Sequence, residues 1–308
     1  VTGTVGYDFG NFQVQPVAAV TATPSGLTAE TTTLRPARSK LSVVSYNVLN
    51  LDPNDADGDR DVADGRFDAI AAQIVNALAK PDVIALQEVQ DNSGSDDDGT
   101  VAADVTLQTL VDAIVAAGGP AYAFIDNTFI TNNDSGGQPG GNIRTAFLYD
   151  PARASLVPGS VETVANPSVF AGARLPLIAR FVFEGETITV VNNHFSSKGG
   201  SAPIFGQRQP FEARQEDLSV NGSLDERLAQ SAEVRRYLDA RFAADPSARL
   251  VVLGDLNEFE FVSPVEDNLG AVLENLTLRL APNERYTFSF QGNSQSLDHV
   301  LVSPSLSL

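Results

Sequence analysis

The sequence predicts an α/β fold built on mixed β-sheets with helices on their outer faces, and two features carry that prediction. Short apolar runs rich in β-branched residues are interspersed with amphipathic stretches of helical period. Several strand-like runs also follow one another with no helix between them, as between residues 144 and 191. That succession disfavours a doubly wound parallel sheet and favours mixed sheets.

Residues 1–39 differ from the rest. Val5–Pro16 alternates apolar and polar positions as one exposed strand, and Thr21–Arg38 has the Thr/Ala/Pro composition of a linker. We read residues 1–39 as the tail of an upstream β domain plus its connection; an extra edge strand of the main domain is the alternative. From 40 to 308 the elements belong to one large domain. Leu41–Val48 reads as a strand. Phe67, Ile70, Ile74, Val75 and Leu78 fall at helical spacing, so Val62–Ala79 is an amphipathic helix. Asp82–Gln87 is a strand, and Leu107, Leu110, Val111, Ile114 and Val115 mark a second helix that stops at Gly118-Gly119. Strands follow at Ala121–Ile125, Arg144–Tyr149, Leu177–Phe183 and Thr187–Val191. Ser223 and Glu226 form a capping box that opens a long helix to Ala243. Arg249–Leu253, Tyr286–Phe290 and Leu297–Val302 close the chain as strands, and no internal repeat is visible.

Composition narrows the function. The absence of Cys removes disulfides, thiol nucleophiles and thiolate zinc sites, without fixing a compartment. No apolar stretch reaches the length of a membrane span and no signal peptide is visible. With no Met even at position 1, the chain reads as a processed or trimmed piece of a longer product. Acidic residues number 39 against 20 basic ones, for a net charge of −19, and Lys occurs only at 40, 80 and 198. That balance argues against nucleic-acid binding through a broad basic face. A polyanionic substrate must instead be held by a local cluster of Arg, Lys and metal ions.

Five short polar signatures end or follow the apolar runs: Ser-Tyr-Asn-Val (45–48), Gln-Glu-Val (87–89), Asn-His-Phe (193–195), Gly-Asp-Leu-Asn (254–257) and Leu-Asp-His-Val (297–300). Most Asn residues placed as Asn47 is merely end a strand. Glu88 is harder to dismiss, because an unpaired carboxylate after Val-Ile-Ala-Leu-Gln is costly to bury. A divalent cation, an Arg partner or exposure at the strand end would each resolve that cost. Asp255 and Asn257, two apart after a Gly, can face one space and suit a hard cation or a phosphoryl oxygen, a surface turn being the plain alternative. His194 beside Asn193 and Lys198 is placed to meet an anion, although a satisfied structural His is the usual outcome. Arg144 has the fork geometry for phosphate and an equal claim to a surface salt bridge. Asp298 and His299 are strand neighbours, so one of them faces a site and the other does not. Together these residues make a coherent phosphoryl-transfer set, and no Walker loop, Gly-x-Ser-x-Gly elbow or zinc spacing competes with it.

The five signatures, in this order, resemble the endonuclease/exonuclease/phosphatase superfamily of deoxyribonuclease I and exonuclease III. Gly-Gly-Gln-Pro-Gly-Gly-Asn-Ile-Arg (136–144) and Asn-His-Phe-Ser-Ser-Lys-Gly (193–199) are similar to large bacterial extracellular nucleases, and Tyr-Asp-Phe-Gly-Asn-Phe (7–12) to the end of an oligonucleotide-binding-like domain. The resemblance implies a four-layer α/β sandwich, two packed mixed sheets flanked by helices, and a secreted, monomeric, Mg²⁺-dependent hydrolase of phosphodiester bonds in DNA, with Mn²⁺ as a substitute. It implies that Asn47 and Glu88 ligate the metal and that His194 contacts the scissile phosphate. Asp255 would orient water or a metal, Asn257 would hold phosphoryl oxygens, and Arg144 would bind phosphate. Asp298 would orient a general-base His that is not His299, the base lying in a later Ser-Asp-His motif on a further strand. No His follows His299 in this chain, so the expectation is a domain lacking its last strand, with weak or no hydrolysis of its own. A phosphatase acting on lipid or small-molecule phosphoesters and a non-catalytic binding fragment are the alternatives. The acidic loops Asp52–Asp61 and Asp96–Gly99 could hold Ca²⁺, but their spacing misses the EF-hand pattern and a solvated, self-repelling loop is the favoured reading.

Overall fold

Alternation along the central strands sends apolar side chains in two directions, and this builds the layers. The computed structural model describes residues 1–8, 11–21, 23, 26, 28–35, 37–201, 220–290 and 293–307. A hairpin of β1 (Gly3–Asp8) and β2 (Asn11–Pro16) comes first. The first large sheet contains β3 (Val43–Leu51), β4 (Val83–Val89), β5 (Ala123–Ile125) and β6 (Arg144–Tyr149), in the order β3-β4-β6-β5. The second contains β7 (Ser155–Leu156), β8 (Arg174–Phe183), β9 (Glu186–His194), β10 (Arg249–Asp255) and β11 (Glu274–Asn275). After a small hairpin of β12 (Phe288–Phe290) and β13 (Asn293–Gln295), β14 (Asp298–Val302) joins it, giving the order β11-β14-β10-β9-β8-β7.

Val83 and Ala85 of β4 point to the second sheet and pack with Leu177, Phe181, Val190 and Leu253. Ile84 and Leu86 point the other way, onto α1 (Arg66–Ala72) and α2 (Asp104–Ala116). On the second sheet Val190 faces inward, while Val191, Leu250 and Val252 turn out to α3 (Leu224–Ala244). Both faces of each central strand are therefore buried, which is why these strands read as continuous apolar runs. The result is the four-layer α/β sandwich, with mixed sheets as expected: β3 and β4 run parallel, as do β9 and β10, and the other pairings are antiparallel.

A polar link crosses the apolar interior. Asn192 on β9 is fully buried and donates from Nδ2 to the Leu86 and Ala146 carbonyls of the first sheet, both at 2.9 Å. Its Oδ1 accepts from Gln87 Nε2 at 2.7 Å. The amide uses both of its hydrogens and one lone pair across the interface and so ties the second sheet to one position on the first.

Several elements depart from the sequence expectation. The single strand read from Val5 to Pro16 is a hairpin, because two alternating segments pair with each other. The first helix starts at Arg66, after Gly65 at φ 75°, and its last turn, Gln73–Ala77, widens to a π-helix. Val115 is 47 % exposed and belongs to no core. Ser223 is no side-chain cap: at φ 54° it is left-handed, whereas a capping hydroxyl needs an extended residue to reach the first-turn amides. Much of the Thr21–Arg38 stretch is described, residues 22, 24, 25, 27 and 36 lying outside. It is not a free tether, since Thr32 N donates to Ala77 O at 2.8 Å and Arg153 donates to Ala37 O at 2.7 Å.

Asn192→Leu keeps the volume and strips two buried carbonyls of a donor and Gln87 of an acceptor. Gln87 keeps its bond to the Ala85 carbonyl, so at about 1–3 kcal/mol for each of the two carbonyls the expected loss is at least about 2 kcal/mol. Denaturant unfolding should report it as a lower midpoint with an unchanged slope.

Candidate active site

The two parallel pairs bring four of the signature residues to one edge. Asn47 and Glu88 lie toward the C-terminal ends of β3 and β4, and His194 and Asp255 end β9 and β10 in matching register. Antiparallel strands reach the same edge with their first residues. Asp298 of β14 sits opposite Asp255, and Arg174 of β8 opposite His194.

Backbone irregularities aim these groups. The β4–β6 register shifts between Leu86 and Val89, and Glu88 inside that bulge has φ 61°. The β3–β4 register shifts between Asn47 and Leu51, with Leu49 and Asn50 at φ 56° and 55°. Bulges re-aim side chains, and left-handed backbone at non-glycine residues persists only where the surroundings hold it. Here Arg66 holds the Val48 and Leu49 carbonyls while pairing with Asp61 at 2.7 Å. Gly254 answers a different constraint. At φ 130° it passes so close to β9 that a Cβ would lie 2.0 Å from Asn193 O.

His194 Nε2 lies 3.7 Å from Glu88 Oε1 and 3.8 Å from Asp255 Oδ2. Asn47 Nδ2 donates to Glu88 at 2.9 Å and to Asp255 at 3.3 Å, while its Oδ1 accepts from Leu49 N at 2.8 Å. The amide thus turns its nitrogen, not the expected ligand oxygen, toward the carboxylates. The Asn257 amide N–H donates to Asp255 Oδ1 at 2.9 Å, and its side chain donates to Phe195 O at 3.1 Å. A cleft of about 290 Å³ opens over Glu88, Arg174, His194, Asp255 and Asn257.

Burial dominates the electrostatics. It raises the Asp255 carboxyl, and the charges of Asp298 and Glu88 add to this against Arg174 and the Asn257 amide. Asp298 is raised in the same way, by burial and then Glu88, against a hydrogen bond from Thr287. Burial, with the Arg174 guanidinium, holds His194 well below the usual imidazole range, so the ring is neutral. Among the described residues Glu88, Asp255 and Asp298 thus gather at an edge where Arg174 is the one guanidinium lining the cleft, and that imbalance suits a cation. The ligand atoms of Glu88, His194 and Asp255 lie within 4.8 Å of one another, and the carboxylate oxygens suit a hard divalent ion.

Two expected anion contacts are not in the cleft. Arg144 is buried and turned to Asp126 at 3.1 Å, with its Nε on Asn142 O at 3.2 Å, because a desolvated guanidinium takes the nearest carboxylate. Lys198, expected beside His194, is bound to Glu258 at 2.5 Å, and Arg227 shares that carboxylate at 2.9 Å. Among the described residues, the cation that lines the cleft is Arg174, which the sequence reading missed. It precedes the apolar run that begins at Leu177, and no motif surrounds it. His299 faces away from the cleft, as alternation from Asp298 requires: its Nε2 lies 2.8 Å from Glu258 O and its Nδ1 3.3 Å from Asn275 Nδ2.

Residues 44–308 match the model of the endonuclease/exonuclease/phosphatase family. No curated protein matches the sequence significantly. Among solved structures, a humanized D. rerio TDP2 superposes with a TM-score of 0.53 at 18% identity, covering 87% of this chain and 85% of that one. D. rerio TDP2 complexed with single strand DNA product gives 0.51 at 19% identity, with 88% and 86% covered. A mannosyl-6-phosphatase of Bacteroides thetaiotaomicron gives 0.54 at 16% identity, with 86% of each chain covered. At these identities the likeness shows a shared fold.

Gly254→Ala should cost stability by roughly 3 kcal/mol or more, since neither β9 nor the backbone angle can yield cheaply; thermal unfolding measures it. The chain has two His. Nitrogen NMR of the imidazoles should find His194 neutral at pH 6.5, with a midpoint that moves up in Arg174→Met as the repelling charge is lost.

Proposed function

The chain belongs to the endonuclease/exonuclease/phosphatase family, and from that premise we propose that it is a secreted, Mg²⁺-dependent nuclease that hydrolyses phosphodiester bonds in DNA. The observation that carries the hydrolytic reading is the convergence of Glu88, Asp255 and Asp298 with a neutral His194 and Arg174 at one sheet edge. The choice of DNA is supported by the D. rerio TDP2 complex with a DNA product. The secreted placement is supported by the likeness of residues 136–144 and 193–199 to bacterial extracellular nucleases. Residues 1–39 enter this reading as the tail of an upstream β domain, and the working unit as a monomer. No helix among the described residues is long and apolar enough to cross a membrane.

Glu88 and Asp255 would hold the cation, with Asn47 able to join them by turning its amide oxygen inward. The ion supplies Lewis-acid charge to the phosphoryl oxygens. Arg174 lies in the cleft wall as a fixed positive charge against the transition-state phosphate. His194, kept neutral, carries its Nε2 toward the same space and can donate a hydrogen bond to the leaving oxygen. Asn257 is locked by Asp255 and Phe195 and offers the remaining amide hydrogen to a phosphoryl oxygen. Asp298, opposite Asp255, would take the proton of the attacking water, its burial holding its proton affinity above that of an ordinary carboxylate, while Asp255 stays on the cation.

A second reading, a phosphatase on small phosphoesters, draws on the net charge of −19 and on Arg174 being the sole cation among the described cleft residues. Plasmid nicking and sugar-phosphate hydrolysis, run side by side with Mg²⁺, Mn²⁺ or a chelator, separate the two. The expected result is DNA cleavage, weak as the sequence leads one to expect, that the chelator abolishes and Mg²⁺ restores. Glu88→Gln and Asp255→Asn should each lower kcat at least about a hundredfold. Sugar-phosphate hydrolysis without nicking would replace the nuclease reading with the phosphatase one. DNA binding with neither activity would leave a binding module.

A further inference from the structure

The loop from Asp52 to Asp61 holds five Asp in ten residues and lies outside the cleft. Carboxylate oxygens of Asp52, Asp57 and Asp59 lie within 4.8 Å of one another. Acidic clusters are common on surfaces, but Asp52 is not on the surface: it is 0 % exposed. Its Oδ1 accepts from Asn54 N at 2.8 Å, whereas its Oδ2 is buried with no hydrogen-bond partner among the described residues. A buried carboxylate oxygen without a donor is costly unless a cation meets it. Arg66, which contacts this loop, is committed to Asp61. Burial, and then the charges of Asp57, Asp59 and Asp61, push the Asp52 carboxyl up to about 7 against the Asn54 amide.

The turn at Ser93–Ser95 closes over this cluster. Ser95 N donates to Asp57 Oδ2 at 2.6 Å and Asn54 Nδ2 to Ser93 O at 2.8 Å. Gly94, at φ 62°, has room only because it lacks a side chain: a Cβ would stand 2.2 Å from Asp57 Oδ2 and 2.6 Å from Asp52 Oδ1. We propose that Asp52, Asp57 and Asp59 bind a Ca²⁺ ion at a site separate from the catalytic one. An irregular, oxygen-rich loop with several acidic ligands suits Ca²⁺, whereas Mg²⁺ demands a near-ideal octahedron. The ion braces the active-site bulge. Asp52 directly follows β3, and its N–H donates to Asp61 Oδ2 at 3.2 Å. Asp61 in turn holds the Arg66 that grips the Val48 and Leu49 carbonyls.

The proposal stands apart from the phosphoesterase reading, and its test uses Ca²⁺ alone as the probe. Calorimetric titration of Glu88→Gln, whose cleft lacks a ligand, should still show one Ca²⁺ site. Saturating Ca²⁺ should raise its unfolding midpoint by roughly 5 °C at a hundredfold excess over Kd. Adding Asp59→Asn, at an exposed position that leaves the fold intact, should weaken binding about tenfold or more by removing one ligand charge. Wild-type protein with the cleft saturated by Mg²⁺ gives the same comparison should Glu88→Gln fold poorly. Absence of Ca²⁺ binding in Glu88→Gln, or binding unchanged by Asp59→Asn, overturns the proposal.

Discussion

The active-site edge depends on the buried amide of Asn192. Two sheets facing each other through apolar side chains can slide, because dispersion and area burial are non-directional. Asn192 removes that freedom by bonding two carbonyls and one amide of the opposite sheet in a dry interior. Its partners Leu86 and Gln87 directly precede Glu88, and Asn192 lies two residues before His194. The same link therefore sets the 3.7 Å separation of Glu88 from His194.

Charge is distributed by the same logic of burial. Behind the cleft, Glu258 is fully buried and satisfied by Lys198, Arg227 and Asn221, with Lys198 Nζ also 4.6 Å above the Phe259 ring. That network anchors the turn carrying Asp255 and Asn257, and its cations are spent on structure. At the cleft the balance is reversed, with Glu88, Asp255 and Asp298 against Arg174. The loop at Asp52 repeats the imbalance on a smaller scale. Negative charge gathered with little internal compensation among the described residues is what the two proposed cation sites share, while the paired network is structural.

The sequence and the structure agree where chemistry is local. Strand and helix runs recur at nearly the expected positions, and Arg144–Tyr149 matches residue for residue. The signatures at Glu88, His194, Asp255, Asn257 and Asp298 do converge, since a polar residue ending a buried strand has few other places to go. Departures come from backbone that no pattern encodes. Glu88 and Asn50 adopt left-handed angles inside bulges, and Ser223 is left-handed where a capping residue should be extended. Arg144 was expected to bind phosphate through its fork geometry and Lys198 to lie beside His194, yet each is captured by a carboxylate distant in sequence, Asp126 and Glu258.

By itself, then, the sequence determined the layered fold class and the family, because hydrophobic period and short motifs are properties of neighbouring residues. It also determined that any anion would have to be held locally, because charge is a sum over composition. Which cation faces the cleft was decided by tertiary structure alone. Arg174 carries no motif and acquires its role from lying across from His194 in an antiparallel pair. Asn192, which bridges two sheets, and Asp52, a carboxylate buried beneath Gly94, are decided in the same way. In each case the decisive partner is a group brought near by packing, and packing is written in no single stretch of chain.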